Sequence, residues 1–211
     1  MYTLVLDTSG PYTTVLITQN NELSIANILK GRPAEYLHEQ IQTSLKSVNL
    51  TPKNLDRIAV VIGPGSWTGL NIGVTAAKTL AQVLNLPLLP LNTLDALVSD
   101  ACRPVWGLMS AGRNRCYYAR YSISQSPEMA VDSIDLVIKQ IETDSASVIE
   151  YGEVFREKFC QRGTYLSVDR LLPEALMAAL ETSRILLTGD SIKSLTPAYL
   201  QPSHVERDAP H

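Results

Sequence analysis

The chain alternates between short apolar runs and clusters of turn-forming residues. Tyr2 to Leu6 is rich in β-formers and stops at Asp7-Thr8-Ser9-Gly10-Pro11. Thr13 to Thr18 and Leu23 to Leu29 follow, parted by Asn20-Asn21. This spacing predicts three strands in an antiparallel meander. From about Glu35 to Val48 the period changes, and Leu37, Ile41, Leu45 and Val48 share one helical face. Ile58 to Ile62 is an unbroken, mostly β-branched apolar run, suited to a strand covered on both faces. Gly63-Pro64-Gly65-Ser66-Trp67-Thr68-Gly69 then marks a sharp turn, with Ser66 or Thr68 placed to cap a helix that runs to Leu84. Asn85 and Pro87 end that helix, and Leu86 to Leu91 supplies the next strand of a right-handed parallel crossover. Thr93 to Val98 is a short helix.

After Arg103-Pro104 the pattern partly restarts. Strands are predicted at Val105 to Met109, at Cys116 to Ile123 and, weakly, near Met129 to Ser133. Asp135 to Ile141 is helical, Ser147 to Tyr151 a strand, and Val154 to Gln161 a helix. Pro173 to Glu181 is helical, Ile185 to Leu200 has no clear period, and Gln201 to His211 reads as a loose tail. Two halves therefore share a βββαβα plan, the second shortened. The boundaries expected are 1–98 for the first subdomain and 99–194 for the second, with about 195–211 returning to the first.

The helix after the Gly-rich turn stands out. Gly69, Gly73, Ala77 and Ala81 lie four apart, on one ridge. Glycine inside a helix costs roughly 1 kcal/mol against alanine, so two on one ridge point to close approach of another backbone. Packing inside the same chain and an interface with a foreign helix both satisfy that pattern.

Composition narrows the class. With 211 residues, 45% hydrophobic and 18% charged, the chain is long enough for a core of its own. A net charge of −3 argues against a surface that grips nucleic acid as a whole. Cys102, Cys116 and Cys160 are odd in number and show no zinc spacing, as expected of a reducing compartment. No apolar run approaches the length that spans a bilayer. A cytoplasmic protein without a signal peptide is expected.

Residues 63–73, Gly-Pro-Gly-Ser-Trp-Thr-Gly-Leu-Asn-Ile-Gly, resemble the signature of the TsaB (YeaZ) family, in which Trp67 is usually Phe and Asn71 usually Arg. The family also opens on a strand ending in Asp-Thr-Ser, matched by Asp7-Thr8-Ser9, and ends on a segment similar to Pro197-Ala198-Tyr199-Leu200. The resemblance is specific over residues 1–98 and thin from 120 to 190. Where the family shows an Asp-Ala-Arg-Arg-Gly-Glu-Val-Tyr-like segment, this chain has Ser110-Ala111-Gly112-Arg113-Asn114-Arg115-Cys116-Tyr117, without the acid and one arginine.

The fold implied is ribonuclease-H-like: the duplicated α/β fold of actin, sugar kinases and Hsp70 (ASKHA), its second half shortened. The function implied is that of a non-catalytic scaffold in tRNA threonylcarbamoyladenosine (t6A) modification. Such a subunit binds and supports TsaD, a paralogue that holds the metal and nucleotide. A TsaE-like ATPase joins the complex, tRNA is reached only indirectly, and the protein alone is expected to form a homodimer. The resemblance places the dimer surface on the helices after the third strand and after the Gly-rich turn. The partner-interface residues expected are thus Leu37, His38, Ile41, Trp67, Gly69, Gly73, Ala77 and Ala81. Neither a cofactor nor a metal is expected.

Other chemistry is thinner. Asp7, with Ser9, sits where kinases of this fold hold a metal-bound nucleotide, a site expected to be vestigial. The matching strand end in the second half is Ser110, and one carboxylate holds Mg²⁺ poorly. The Gly-rich turn is not a P-loop: the only lysine on its helix, Lys78, lies over two turns from the start. His38-Glu39-Gln40-Ile41-Gln42 lacks the second histidine of a zinc-protease helix, and His204 and His211 fall in the tail. Arg113, Arg115 and Arg120 with Tyr117, Tyr118 and Tyr121 make a basic, aromatic hairpin able to touch phosphate or a base. An active ATP-dependent phosphotransferase is the main alternative, and a metalloprotease the weaker one.

Overall fold

The computed structural model of the protein describes residues 1–124, 126–160 and 164–200. Its elements are β1 (Tyr2–Asp7), β2 (Tyr12–Gln19), β3 (Glu22–Lys30), α1 (Pro33–Ser47), β4 (Arg57–Gly63), α2 (Trp67–Leu84), β5 (Leu88–Asn92), α3 (Thr93–Leu97), β6 (Val105–Gly112), β7 (Arg115–Tyr121), β8 (Ala130–Ser133), α4 (Ile134–Glu142), β9 (Ser147–Tyr151), α5 (Arg156–Phe159), β10 (Tyr165–Val168), α6 (Pro173–Thr182) and α7 (Asp190–Lys193).

Two five-stranded sheets result, ordered β3-β2-β1-β4-β5 and β10-β9-β6-β7-β8. In each, three strands form an antiparallel meander, and two more join parallel to the meander's first strand. The repeat extends to the turns: Gly63 at the end of β4 has φ 119° and Gly152, just past β9, has φ 121°. Both values are open to glycine and strained for other residues. The chain has the duplicated actin-like plan, and β10, absent from the sequence reading, completes it. The second half is shortened in its helices, where α4 has 9 residues and α5 has 4 against 15 in α1 and 18 in α2, and also in its strands, where β8 has 4 against 9 in β3. The helix expected from Val154 begins at Arg156, and its expected end, Gln161, lies outside the described residues, as does the tail 201–211.

Strand alternation sends side chains to two layers. Leu4, Leu6, Val15, Ile17 and Ile58 pack outward beneath α1 and α2. Val5, Leu16, Val61 and Leu91 face the other way and meet Met109, Tyr117, Tyr121 and Tyr151 of the second sheet. Residues of α3 and α6, including Leu94, Leu97, Leu176 and Leu180, complete this middle core. A third core lies under α4 and α5, around Trp106, Leu108, Val148, Phe155 and Phe159. The two halves are thus joined by a shared apolar layer.

The chain comes back to the first sheet at Leu187, ahead of the expected position 195, where its backbone exchanges hydrogen bonds with Leu88. Lys78 on α2 donates to the carbonyls of Lys193 and Leu195 at 2.8 and 2.7 Å, which pins α7 against α2. Farther on, the Ala198 amide donates to the Ile62 carbonyl at 2.7 Å.

Candidate functional site: the groove between α1 and α2

Helix α2 begins where Ser66 accepts a hydrogen bond from the Gly69 amide, and it ends at Asn85 in the left-handed conformation. Its surroundings divide it into three faces. Gly69, Leu70, Gly73, Val74, Ala77 and Ala81 are buried. Trp67, Asn71 and Lys78 face the returning C-terminal segment. At 3.6 residues per turn, Ile72, Ala76, Thr79, Leu80 and Val83 fall in the remaining sector, roughly 100° wide. They form one wall of a groove of about 760 Å³. Helix α1 forms the other, with Leu37, Ile41 and Leu45 as a buried floor and His38, Gln42 and Lys46 along the rim. The lining residues include no carboxylate. Val83 is 77% exposed, an unusual position for a large aliphatic side chain on a helix.

This arrangement corrects the expected interface. Gly69, Gly73, Ala77 and Ala81 do not face a foreign helix; their ridge is turned inward, onto the chain's own β1 end. A Cβ on Gly69 would stand 2.1 Å from the Thr8 carbonyl oxygen, and one on Gly73 would stand 2.2 Å from Thr8 Oγ1. Ala77 and Ala81 are fully buried in the core beneath α2. The small residues exist because the turn after β1 crosses this face, with Thr8 Oγ1 donating to the Gly69 carbonyl at 2.8 Å. Of the expected interface residues, Leu37, His38 and Ile41 line the groove, while Trp67 does not. The wall on α2 that sequence reasoning missed had a signal: Ile72, Ala76, Leu80 and Val83 repeat at helical spacing, outside the face the sheet needs.

Trp67 stacks on Tyr199 with ring centroids 3.7 Å apart, and Tyr199 donates to Asn71 Oδ1 at 2.7 Å. The Gly-rich turn and the Pro197-Ala198-Tyr199-Leu200 segment are therefore two sides of one contact. Tyr199→Ala is expected to cost about 1 kcal/mol, the size of such a stack. It should also shift Trp67 emission to the red, while Trp106, only 6% exposed, stays unchanged. An unaltered emission spectrum would show that the stack does not form in solution.

The remaining candidates are engaged in structure. Asp7 is buried, and its Oδ1 accepts from the Ser9 amide at 2.8 Å. Burial pushes its pKa from 3.8 up to about 6, against the opposing pull of that hydrogen bond. Ser110, at the matching strand end, accepts from Gly112 and brings no charge. The Gly-rich turn is fastened to β1, with the Ser66 amide on the Ser9 carbonyl at 2.7 Å. In the hairpin, Tyr117 and Tyr121 point into the middle core, and Arg120 pairs with Asp144 at 2.6 Å. Tyr117 and Tyr121 are therefore internal supports, out of reach for stacking on a base. His38 lies 2.9 Å from Gln42, nitrogen to nitrogen. Among the described residues no group of three His, Cys, Asp or Glu could hold a metal ion. His204 and His211 lie outside them. Cys116 is buried, and desolvation pushes its thiol up to about 12, so it is not a ready nucleophile. No helix among the described residues is long and apolar enough to cross a membrane.

Comparison with known proteins bears on family and fold. The family model described as "TsaD: tRNA N6-adenosine threonylcarbamoyltransferase" matches residues 32–179. The chain is 34% identical over 128 residues to the tRNA threonylcarbamoyladenosine biosynthesis protein TsaB of Bacillus subtilis, covering 57% of this chain and 55% of that protein. It spans about half the length of the curated relatives it matches. Among solved structures, a Pseudomonas aeruginosa protein described as similar to peptidase YEAZ superposes with a TM-score of 0.76 at 21% identity. That match covers 95% of this chain and 99% of the other. A Bacteroides thetaiotaomicron protein with an actin-like ATPase fold superposes with a TM-score of 0.50 at 8% identity, covering 85% of this chain and 95% of the other. The match over residues 32–179 makes this chain a member of the threonylcarbamoyltransferase (TsaD) family, and its signature at 63–73 together with its likeness to the Bacillus subtilis protein place it with TsaB (YeaZ).

Proposed function

We propose that this protein is a non-catalytic subunit of the machinery that makes tRNA threonylcarbamoyladenosine, and that it acts by docking a TsaD-like paralogue in the groove between α1 and α2. The groove carries this reading: an apolar channel of about 760 Å³ between α1 and α2, floored by Leu37, Ile41 and Leu45 and edged by the exposed Val83. An apolar surface of this extent on a folded chain marks a place where another protein sits. Two helices with a furrow between them accept a third helix by ridge-into-groove packing. Alone, the protein would bury the same surface against a second copy. A TsaE-like ATPase and tRNA would then be reached through the paralogue and not through this chain.

The phosphotransferase reading finds less support. It needs acids at two strand ends, and β6 offers Ser110.

The test is association. Mixed with the TsaD-like protein of the same cell, the wild-type chain is expected to co-elute as a heterodimer by light scattering. Ala76→Glu and Val83→Glu place a charge in the groove at half-buried and exposed positions, so the monomer keeps its fold. Each should weaken association at least a hundredfold, because a charge buried without a partner costs about 3 kcal/mol or more. Undiminished association of both variants would refute the groove as the docking site.

A further inference from the structure

The actin-like fold implies a nucleotide with its metal in the crevice between the halves, in front of the first strand's end. The crevice of this chain can be tested for that group at β1. Gly10 follows the Asp7-Thr8-Ser9 turn. A Cβ placed on it would fall 1.8 Å from the hydroxyl oxygen of Tyr151 and 2.5 Å from its Cζ. Tyr151 is the last residue of β9, the second half's counterpart of β4, and only 4% of it is exposed. Its phenol thus crosses from the second half to touch the backbone of the first. Asp7 and Ser9 are its polar neighbours, and Asp169 and Tyr12 lie near enough to be felt electrostatically. Arg170 closes the outer side, its guanidinium 5.5 Å from the Tyr12 ring centroid.

Tyr151 OH, Ser9 Oγ and the Asp7 carboxyl lie close together at this contact, all of them buried. A phenylalanine would fill the same volume. The space that phosphates would need beside Ser9 and Gly10 is taken by a side chain of the protein itself. The residues present therefore do not fit a nucleotide or its metal.

We propose that Tyr151 is a built-in plug: its ring, seated on Gly10, holds the two halves shut over the β1 turn and stands in the place of a crevice ligand. A nucleotide-binding relative closes its halves on a ligand. This chain closes them on a tyrosine, so the relative placement of its halves does not depend on any small molecule.

Amide hydrogen exchange on the full chain tests this, with two substitutions that open the contact from opposite sides. Tyr151→Ala removes the ring. Gly10→Ala leaves the ring intact but drives its hydroxyl off the turn. In both, the Thr8, Ser9 and Gly10 amides are expected to exchange at least tenfold faster than in the wild type, with the amides of β7 within twofold. Tyr151→Phe, which keeps the ring, should retain wild-type protection. Calorimetry of the wild type with ADP and Mg²⁺ should show no binding at micromolar concentration. Unchanged protection in both opening variants would overturn the proposal, and so would micromolar binding of ADP and Mg²⁺ by the wild type. Should Tyr151→Ala fail to fold, Gly10→Ala decides alone. None of these outcomes bears on the α1–α2 groove, which is built from other residues.

Discussion

Gly69→Ala is expected to lower the unfolding free energy by about 3 kcal/mol, at the upper end of overpacking costs, and the melting temperature by roughly 6–12 °C for a chain of this length. Two effects oppose each other at this position. Alanine is the better helix former by about 1 kcal/mol. Its methyl, however, would stand 2.1 Å from the Thr8 carbonyl oxygen, and that oxygen belongs to backbone fixed by the β1 turn. Neither chain can yield cheaply, so the steric term wins. Gly73→Ala should be costly for a different reason, since its methyl meets the Thr8 side chain, Oγ1 at 2.2 Å and Cγ2 at 3.3 Å. Thr8→Ala should therefore rescue Gly73→Ala, with a coupling of about 1–2 kcal/mol in a double-mutant cycle. The same change should do nothing for Gly69→Ala, because the offending oxygen is still there. Urea titrations of the three single and two double variants decide it. A Gly69→Ala protein as stable as the wild type would mean that α2 does not lie on β1 as described.

Asp7→Asn is expected to stabilise the protein at pH 7.5 by up to about 3 kcal/mol, the equivalent of a shift of roughly two pKa units. The Asp7 carboxyl titrates near 6 in the fold against 3.8 when unperturbed, and burial is the main cause. A group with a raised folded pKa keeps its proton more tightly in the native state. Its contribution to stability is complete below about pH 4 and is lost as pH climbs through 6. Asparagine offers the same acceptor to the Ser9 amide and carries no charge. Its amide hydrogens also find Ser9 Oγ and Tyr151 OH nearby. The gain should thus be largest at pH 7.5, partial at 5.5 and near zero at 4. A constant gain across those three values would place its origin elsewhere than in the ionisation. The sign also separates two roles: a carboxylate kept for structure would lose stability on this change, whereas a burdensome one gains it.

The unit from Ile58 to Leu91 was legible because its signals are local. An unbroken apolar run, a serine before the helix and an asparagine after it each act within a few residues. The outward side of α2 was not legible in the same way. Small residues four apart serve close packing against a strand turn as well as against a foreign helix. Only the contact between Thr8 and the glycines at 69 and 73, sixty positions along the chain, distinguishes them. Strand β10 escaped notice because four residues, Tyr165 to Val168, are too few to show a period; its parallel pairing with β9 identifies it. The aromatic hairpin reads from sequence as a solvated tip able to touch phosphate or a base for a related reason: strand alternation puts Tyr117 and Tyr121 on one face, and the sequence does not say that this face is the middle core. Tyr151 reads as an ordinary strand end until the second half is set against Gly10. Long-range placement, and not residue chemistry, is what the sequence withheld.

The central claim is that the unpartnered sector of α2, together with α1, is where the TsaD-like paralogue sits. Hydrogen exchange on the reconstituted heterodimer measures that footprint directly. Protection gained on binding should concentrate in α1 from Leu37 to Lys46 and in α2 from Ile72 to Val83, with little change in β6 to β8. Protection centred on the hairpin of β6 and β7, or on the edge strand β3, with α1 and α2 exchanging as in the free chain, would contradict it.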